Sequence, residues 1–258
     1  MFVDTHAHLQ WTSFDNDREK VLERAKENLL TRIVNIGFDI TGSLKGIELS
    51  EKYQGLYATV GIHPHNANAL DENSMDKLRE LATNPKVVAI GEIGLDYYRN
   101  LSPKAIQKRA FETQLSLAQE LNLPIVIHDR EAHDEILQVL LRFEGKIKGV
   151  MHCFSGSKEM AQRCIDLGFL ISFAGTVTYP KAQELRKIAK WIDLKNMLLE
   201  TDCPWLAPQE MRGKRNEPSF LPIIAREIAN LKNISVEELA EATTRNAEDL
   251  LKLTRHLA

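Results

Sequence analysis

The chain is poor in cysteine, with only Cys153, Cys164 and Cys203 among 258 residues. The number is odd and no CxxC occurs, which argues against a disulfide framework or a zinc ribbon. No apolar run approaches the ~20 residues that cross a membrane. The N-terminus has no basic region followed by an apolar stretch, and His6 and His8 stand where a signal peptide would begin. A cytoplasmic protein without membrane association is therefore expected. Net charge is only −3. There is no basic excess to draw a polyanion from a distance, so any attraction for anions has to be local. Gly/Ser-rich linkers, low-complexity tracts, charge blocks and obvious sequence repeats are missing as well. One domain over residues 1–258 is the simplest organisation.

What is present is a core-forming composition, 43% hydrophobic and 27% charged, arranged as alternating β-like and helix-like segments. The spacing predicts strands near 2–8, 32–37, 56–62, 87–93, 123–128, 147–153, 169–174 and 196–201. Helices are expected near 17–30, 43–53, 73–83, 103–121, 131–143, 157–167 and 181–190, followed by 219–231 and 235–253. Ser102 reads as an N-cap with Pro103 in the first helical position, and Ser235 to Glu238 fits a capping box. Residues 203–218 read as a long loop after the last strand. This order fits an α/β fold, a single (β/α)8 TIM barrel with an additional C-terminal helix. An open, doubly wound sheet would spread its strand ends apart, whereas a closed ring gathers them at one mouth.

That gathering matters because metal-capable side chains end run after run. Phe2-Val3-Asp4-Thr5 leads into His6 and His8. Residues 87–91 lead to Glu92, 124–127 to His128, 149–151 to His152, and 197–199 through Glu200 to Asp202. His6 and His8 lie two apart on a strand and share a face, so both can grip one cation. Asp4 shares that face, and Glu200 shares the face of Asp202; both are candidates to support the ligands. Read alone, Glu92 could equally form a strand-end salt bridge, and His128 or His152 a core hydrogen bond. Their repetition along the strands favours a site for two divalent cations. Two such cations bring a charge of +4, from which Glu92 and Asp202 subtract two. The remainder suits one hydroxide and one anionic substrate group. Gly91 and Gly94 are expected to let backbone approach the cations. Cys153 and Cys203 read as packing residues facing the helices, not as nucleophiles.

In combination the motifs resemble the TatD family of metal-dependent deoxyribonucleases, within the wider metal-dependent hydrolase barrel superfamily. They are Asp4-Thr-His-Ala-His8, Gly61-Ile-His-Pro-His65, Gly91-Glu-Ile-Gly-Leu-Asp-Tyr97, Pro124-Ile-Val-Ile-His128, His152-Cys-Phe-Ser-Gly156, Glu200-Thr-Asp-Cys-Pro204, Arg215-Asn-Glu-Pro218 and Thr244-Arg-Asn-Ala247. The resemblance covers nearly the whole chain. It implies that His6, His8, Glu92 and Asp202 hold one cation and that Glu92, His128 and His152 hold the other. It also implies phosphodiester hydrolysis on nucleic acid, as a 3′-to-5′ exonuclease of single-stranded DNA or RNA. Glu92 and Asp202 would carry catalysis, Asp202 by positioning water or taking its proton.

Further out, His63 and His65 could contact a phosphate or simply shape their loop. Arg99, Arg130 and Arg215 could neutralise phosphates. Tyr97, Tyr98, Phe154 and Trp205 could stack on bases, although core packing is the commoner fate of such residues. Four imidazoles suit zinc or other first-row metals, while the carboxylates also accept manganese or magnesium. Nothing in the chain names an obligate protein partner. Two alternatives stand beside the nuclease. One is a binuclear amidohydrolase or lactonase acting on a small molecule. Many of those bridge their cations with a carboxylated lysine on strand four, and no lysine lies between Lys86 and Lys104. The other is a metal-dependent nucleic-acid binding protein without turnover.

Overall fold

Each of the eight apolar runs forms a strand, and each strand hands over to a helix on the outside. The computed structural model describes residues 1–143 and 145–253. Glu144 and residues 254–258, part of the expected domain, lie outside the described residues. The order is β1 (Phe2–Ala7), α1 (Arg18–Glu27), β2 (Leu30–Asn35), α2 (Ile40–Lys52), β3 (Leu56–Val60), α3 (Glu72–Leu81), β4 (Val87–Asp96), α4 (Lys104–Leu121) and β5 (Ile125–Arg130). It continues with α5 (His133–Leu141), β6 (Gly149–Met151), α6 (Lys158–Asp166), β7 (Phe169–Phe173), α7 (Gln183–Trp191), β8 (Met197–Leu199), α8 (Leu221–Lys232) and α9 (Val236–Leu251). The strands pair in parallel, in chain order from β1 to β8. Among the described residues no helix is long and apolar enough to cross a membrane.

Closure of the ring is made by the segments that carry the histidine pair and Asp202. Ala7 and Cys203 form a parallel bridge. The Asp202 amide donates to the His6 carbonyl at 2.9 Å, and the His8 amide donates to the Cys203 carbonyl at 2.9 Å. Asp4, fully buried, adds a side-chain tie: its carboxylate accepts the Thr201 amide at 2.9 Å and the Thr201 hydroxyl at 2.6 Å. The seam that closes the barrel therefore also sets His6, His8 and Asp202 in register.

Alternation along the strands separates the site from the core. Val126 and His128, Val150 and His152, and Leu198 and Glu200 are same-face pairs. Val34, Val88, Val126, Val150 and Leu198 cluster inside the ring with Ala247 and Leu251 of α9, so the last helix closes the end opposite the ligands. A second, larger apolar layer lies between the strands and the outer helices and includes Cys203.

Some local expectations need correcting. Leu29 (φ 64°) turns the chain out of α1, so β2 begins at Leu30, earlier than its apolar pattern suggests. Ser102 does not cap α4: its hydroxyl donates to the His65 carbonyl at 2.9 Å, and Pro103 is the residue before the helix. Ser235 does accept the Glu238 amide at 3.0 Å, the forward bond of the expected box.

The glycines beside Glu92 let neighbouring strands approach closely. A Cβ on Gly94, whose φ is +140°, would fall 2.0 Å from the His128 carbonyl oxygen. One on Gly91 would fall 2.6 Å from the Val126 Cβ. They let β4 lie against β5 closely enough for Glu92 and His128 to meet. Gly94→Ala combines a forbidden backbone angle with a backbone clash, and is expected to cost about 3 kcal/mol or more. A urea unfolding midpoint equal to that of the unaltered chain would refute this.

Candidate metal centre

At the C-terminal mouth the six expected ligands converge, and all but His128 and Asp202 are buried. His6 and His8 present Nε2 atoms 3.1 Å apart. Glu92 reaches the middle of the site with its two oxygens facing different ways. Its Oε2 lies 3.5 Å from His6 Nε2 and 3.8 Å from His8 Nε2. Its Oε1 lies 2.7 Å from His128 Nδ1, 3.3 Å from His152 Nε2 and 3.4 Å from His63 Nε2. Asp202 Oδ1 lies 3.7 Å from His6 Nε2 and 3.6 Å from His8 Nε2. Three sets each bring donor atoms within 4.8 Å of one another: His6 with His152 and Asp202, His6 with His8 and Glu92, and His63 with Glu92 and His128.

The surroundings decide which nitrogen of each ring offers a lone pair to the centre. His8 Nδ1 donates to the Ile36 carbonyl at 3.1 Å. His152 Nδ1 donates to Glu200 Oε1 at 2.9 Å, and that same oxygen accepts the Cys153 amide at 2.6 Å. His128 Nε2 donates to Asp96 Oδ2 at 3.3 Å. In each ring the outer N–H is taken, so the inner nitrogen is free to ligate a cation. His63 is built the other way round. Its Nδ1 accepts the His65 amide at 3.1 Å, so a neutral ring carries its proton on Nε2, toward Glu92. His63 is thus set up as a donor, although it lies within reach of a cation. His6 stacks on His152 with ring centroids 3.6 Å apart, and its Nδ1 finds no partner among the described residues.

Protonation follows from the same contacts. Burial pushes the Glu92 carboxyl up, but His63 and His152, with hydrogen bonds from His128 and His152, outweigh it and hold the group well below the usual range. Burial also raises Asp202, and the hydrogen bond from His8 with the nearby His152, His6 and His8 brings it below its ordinary value. Burial drives His6 down, and drives His63 down to about 4, which leaves both neutral near pH 7. His128 resists burial because Asp96 and Glu92 hold its proton, and rises to about 9. Burial likewise opposes the charge on His152, but Glu200 and Glu92 raise it well above its usual value. A divalent cation competes with those protons for the same nitrogens, so binding is coupled to proton release. Four imidazole nitrogens and two ionised carboxylates, converging without a lysine, fit divalent cations well. Two residues of the site have left-handed backbone, the ligand Asp202 (φ 55°) and Cys153 (φ 43°), which follows His152.

The outer residues divide. His65 Nε2 hydrogen-bonds Asp96 Oδ2 at 2.7 Å, so His65 braces the same carboxylate that holds His128. Arg99 and Arg130 are exposed on the loop after β4 and at the end of β5, and Arg130 lies over the Tyr98 ring at 4.1 Å. Arg215 is already committed. It forks onto Asp17 at 2.8 and 2.7 Å, donates to the Ser13 carbonyl and covers Phe14, so its expected phosphate contact is set aside. Phe154 is buried, and the Tyr97 ring is packed against the core with Lys104 Nζ over it at 4.2 Å, which removes both as stacking surfaces. Cys203 packs in the outer apolar layer, as expected, whereas Cys153 is only half-buried and its thiol feels His152, Asp202, Glu200 and Glu92. Burial pushes both thiols up, so neither is ionised near pH 7. Asp96 carried no role in the sequence reading. It lies four residues beyond Glu92, and that spacing is the signal that could have found it.

The family profile described as TatD related DNase matches residues 3–252. The uncharacterised metal-dependent hydrolase YabD of Bacillus subtilis (strain 168) is 45% identical over 255 residues, spanning 98% of this chain and 100% of its own. A 3′-5′ ssDNA/RNA exonuclease TatD of Pantoea vagans (strain C9-1) is 39% identical over 257 residues, spanning 97% of this chain and 99% of its own. Among solved structures, the TatD homologue YJJV of Escherichia coli K12 superposes with a TM-score of 0.93 at 32% identity, over 98% of each chain. A lactonase variant of Deinococcus radiodurans superposes with a TM-score of 0.63 at 11% identity, over 97% of this chain and 95% of that one, which is likeness of fold alone. The chain thus belongs to the TatD related DNase family and is one of its metal-dependent hydrolases.

Proposed function

We propose that the whole chain acts as one domain and hydrolyses phosphodiester bonds of single-stranded DNA or RNA from the 3′ end, using two divalent cations. The observation that carries this reading is the division of Glu92. Its Oε2 serves His6 and His8, and its Oε1 serves His128 and His152. One carboxylate spanning two sets of imidazoles suits one cation on each side. His6, His8, Glu92 and Asp202 would hold the first, and Glu92, His128 and His152 the second. Bound cations would acidify water and neutralise phosphate charge.

The chain's own residues supply the rest. Asp202 is ionised and close to the histidine pair, where it orients the attacking water and accepts its proton. Asp96 and Glu200 hold His128 and His152 in the ligating tautomer. His63 offers its Nε2–H to a phosphoryl oxygen. Arg99 and Arg130, exposed near the mouth, are placed to meet flanking phosphates. The exonuclease name of the Pantoea relative supports the substrate class.

A metal-by-substrate matrix tests the reading. Zinc, manganese and magnesium are each combined with labelled single- and double-stranded DNA, RNA, a generic phosphodiester, an ester, an amide and a lactone. The expected products are single strands shortened from the 3′ end. Cleavage of amides or lactones with no phosphodiester hydrolysis would overturn it. Tight oligonucleotide binding without product under every cation would point instead to a binding protein.

A further inference from the structure

We propose that Trp11, Phe38 and Trp205 form a stacking subsite for one unpaired nucleobase of the nucleotide at the scissile bond. The inference deepens the nuclease reading and rests on it. The three rings stand on the loops after β1, β2 and β8, beside the histidine pair. His8 lies 5.1 Å from Trp205 and 5.9 Å from Phe38 between ring centroids. Trp11 lies 5.3 Å from Phe38 and 5.2 Å from Trp205. The two indole planes meet at 67°, which makes a notch and not a flat sheet.

Trp11 is 38% exposed and Trp205 43%, while most large apolar side chains of the fold are buried. Their backbones, by contrast, are fixed. The Trp11 amide donates to the His8 carbonyl at 3.0 Å, and the Trp205 amide donates to the Asp202 carbonyl at 3.0 Å. Each tryptophan thus sits one tight turn beyond a proposed ligand, at a set distance from it. Asn216, fully buried, secures the second turn by donating to the Thr201 and Trp205 carbonyls. The Phe38 carbonyl accepts the His63 amide at 2.9 Å. A pinned backbone that presents exposed rings is preorganised for a flat ligand, because little freedom is lost on binding.

A nucleobase fits by chemistry. Every base has a π-face, so stacking on indole tolerates any sequence and does not distinguish ribose from deoxyribose. A base already stacked within a duplex cannot enter such a notch without being pulled out. The subsite therefore favours single strands, and does so without base-edge contacts. On the other side of the mouth the exposed Tyr98 ring is covered by Arg130.

The test compares oligonucleotides that carry either a base or an abasic residue on each side of the scissile bond. The unaltered chain is expected to favour the base-bearing strand by about tenfold in kcat/KM at one of the two positions. Trp11→Ala combined with Trp205→Ala should bring that ratio close to one. Trp11→Tyr combined with Trp205→Tyr should preserve it, which separates stacking from damage to the loops. Tryptophan fluorescence should be quenched by the base-bearing strand in the unaltered chain and much less in a Trp11→Phe, Trp205→Phe double variant. Equal cleavage of base-bearing and abasic strands by the unaltered chain would overturn the subsite and leave the nuclease reading standing. So would a ratio unchanged in the alanine double variant. Failure of the unaltered chain to cleave any phosphodiester would overturn the nuclease reading, and the subsite with it.

Discussion

Glu92→Ala is expected to lower phosphodiester hydrolysis by on the order of a thousandfold, mainly in kcat. The size follows from losing several kcal/mol of charge stabilisation in the transition state, at about 1.4 kcal/mol per tenfold in rate. Glu92 lies within 4 Å of all four proposed imidazole ligands, and it reaches His63 as well. The outer acceptors Asp96, Glu200 and the Ile36 carbonyl remain in the variant, so the rings should keep their places. The loss should then be one of bridging, not of folding. Circular dichroism and an unchanged unfolding midpoint would check the fold, and turnover on a 3′-labelled single strand would check the chemistry. Full turnover in a folded variant would remove Glu92 from the mechanism.

Asp202→Asn is expected to cost roughly a hundredfold to ten-thousandfold in kcat, the usual range for losing a general base, with a smaller change in KM. Asparagine keeps the size of the side chain and one carbonyl oxygen, so partial cation binding should survive. What it loses is the negative charge and the ability to take a proton. The backbone around it should hold, because the Asp202 amide bonds the His6 carbonyl and the Trp205 amide bonds the Asp202 carbonyl, independently of the side chain. Rates under saturating cation decide the matter. A kcat within twofold of the unaltered chain would mean that the proton goes elsewhere.

Much of this fold was legible because its signals are local and repeated. Eight apolar runs with a polar residue at each end specify strands. The ring that they form needs no more than alternation along the chain and parallel pairing. The ligand set was legible for the same reason: His6 and His8 share a face by spacing alone, and His128 and His152 end similar strands. What escaped was information held across the sheet. Asp96 matters because β4 and β5 lie close enough for it to reach His128; its spacing from Glu92 puts it on the same face, but the partner it holds stands on the neighbouring strand. Gly94 is likewise constrained from across the sheet, by the His128 carbonyl on the adjacent strand. Arg215 looked like a phosphate contact until Asp17, nearly the whole chain away in sequence, took up its guanidinium. Trp11 and Phe38 belong to two separate loops, and only the closed ring sets them beside Trp205.

The seam between β8 and β1 links fold to site. Asp4, the His6 carbonyl and the His8 amide all bond to the segment 201–203. The contacts that close the barrel thereby fix three proposed ligands of one cation.

The central claim is that one carboxylate joins two cations, and metal stoichiometry tests it most directly. The unaltered chain and Glu92→Ala are dialysed to equilibrium against manganese or zinc, and bound metal is counted by elemental mass spectrometry. The account predicts two cations per unaltered chain and no more than one per variant chain. A single cation in the unaltered chain at saturation, or two retained after Glu92→Ala, would contradict it.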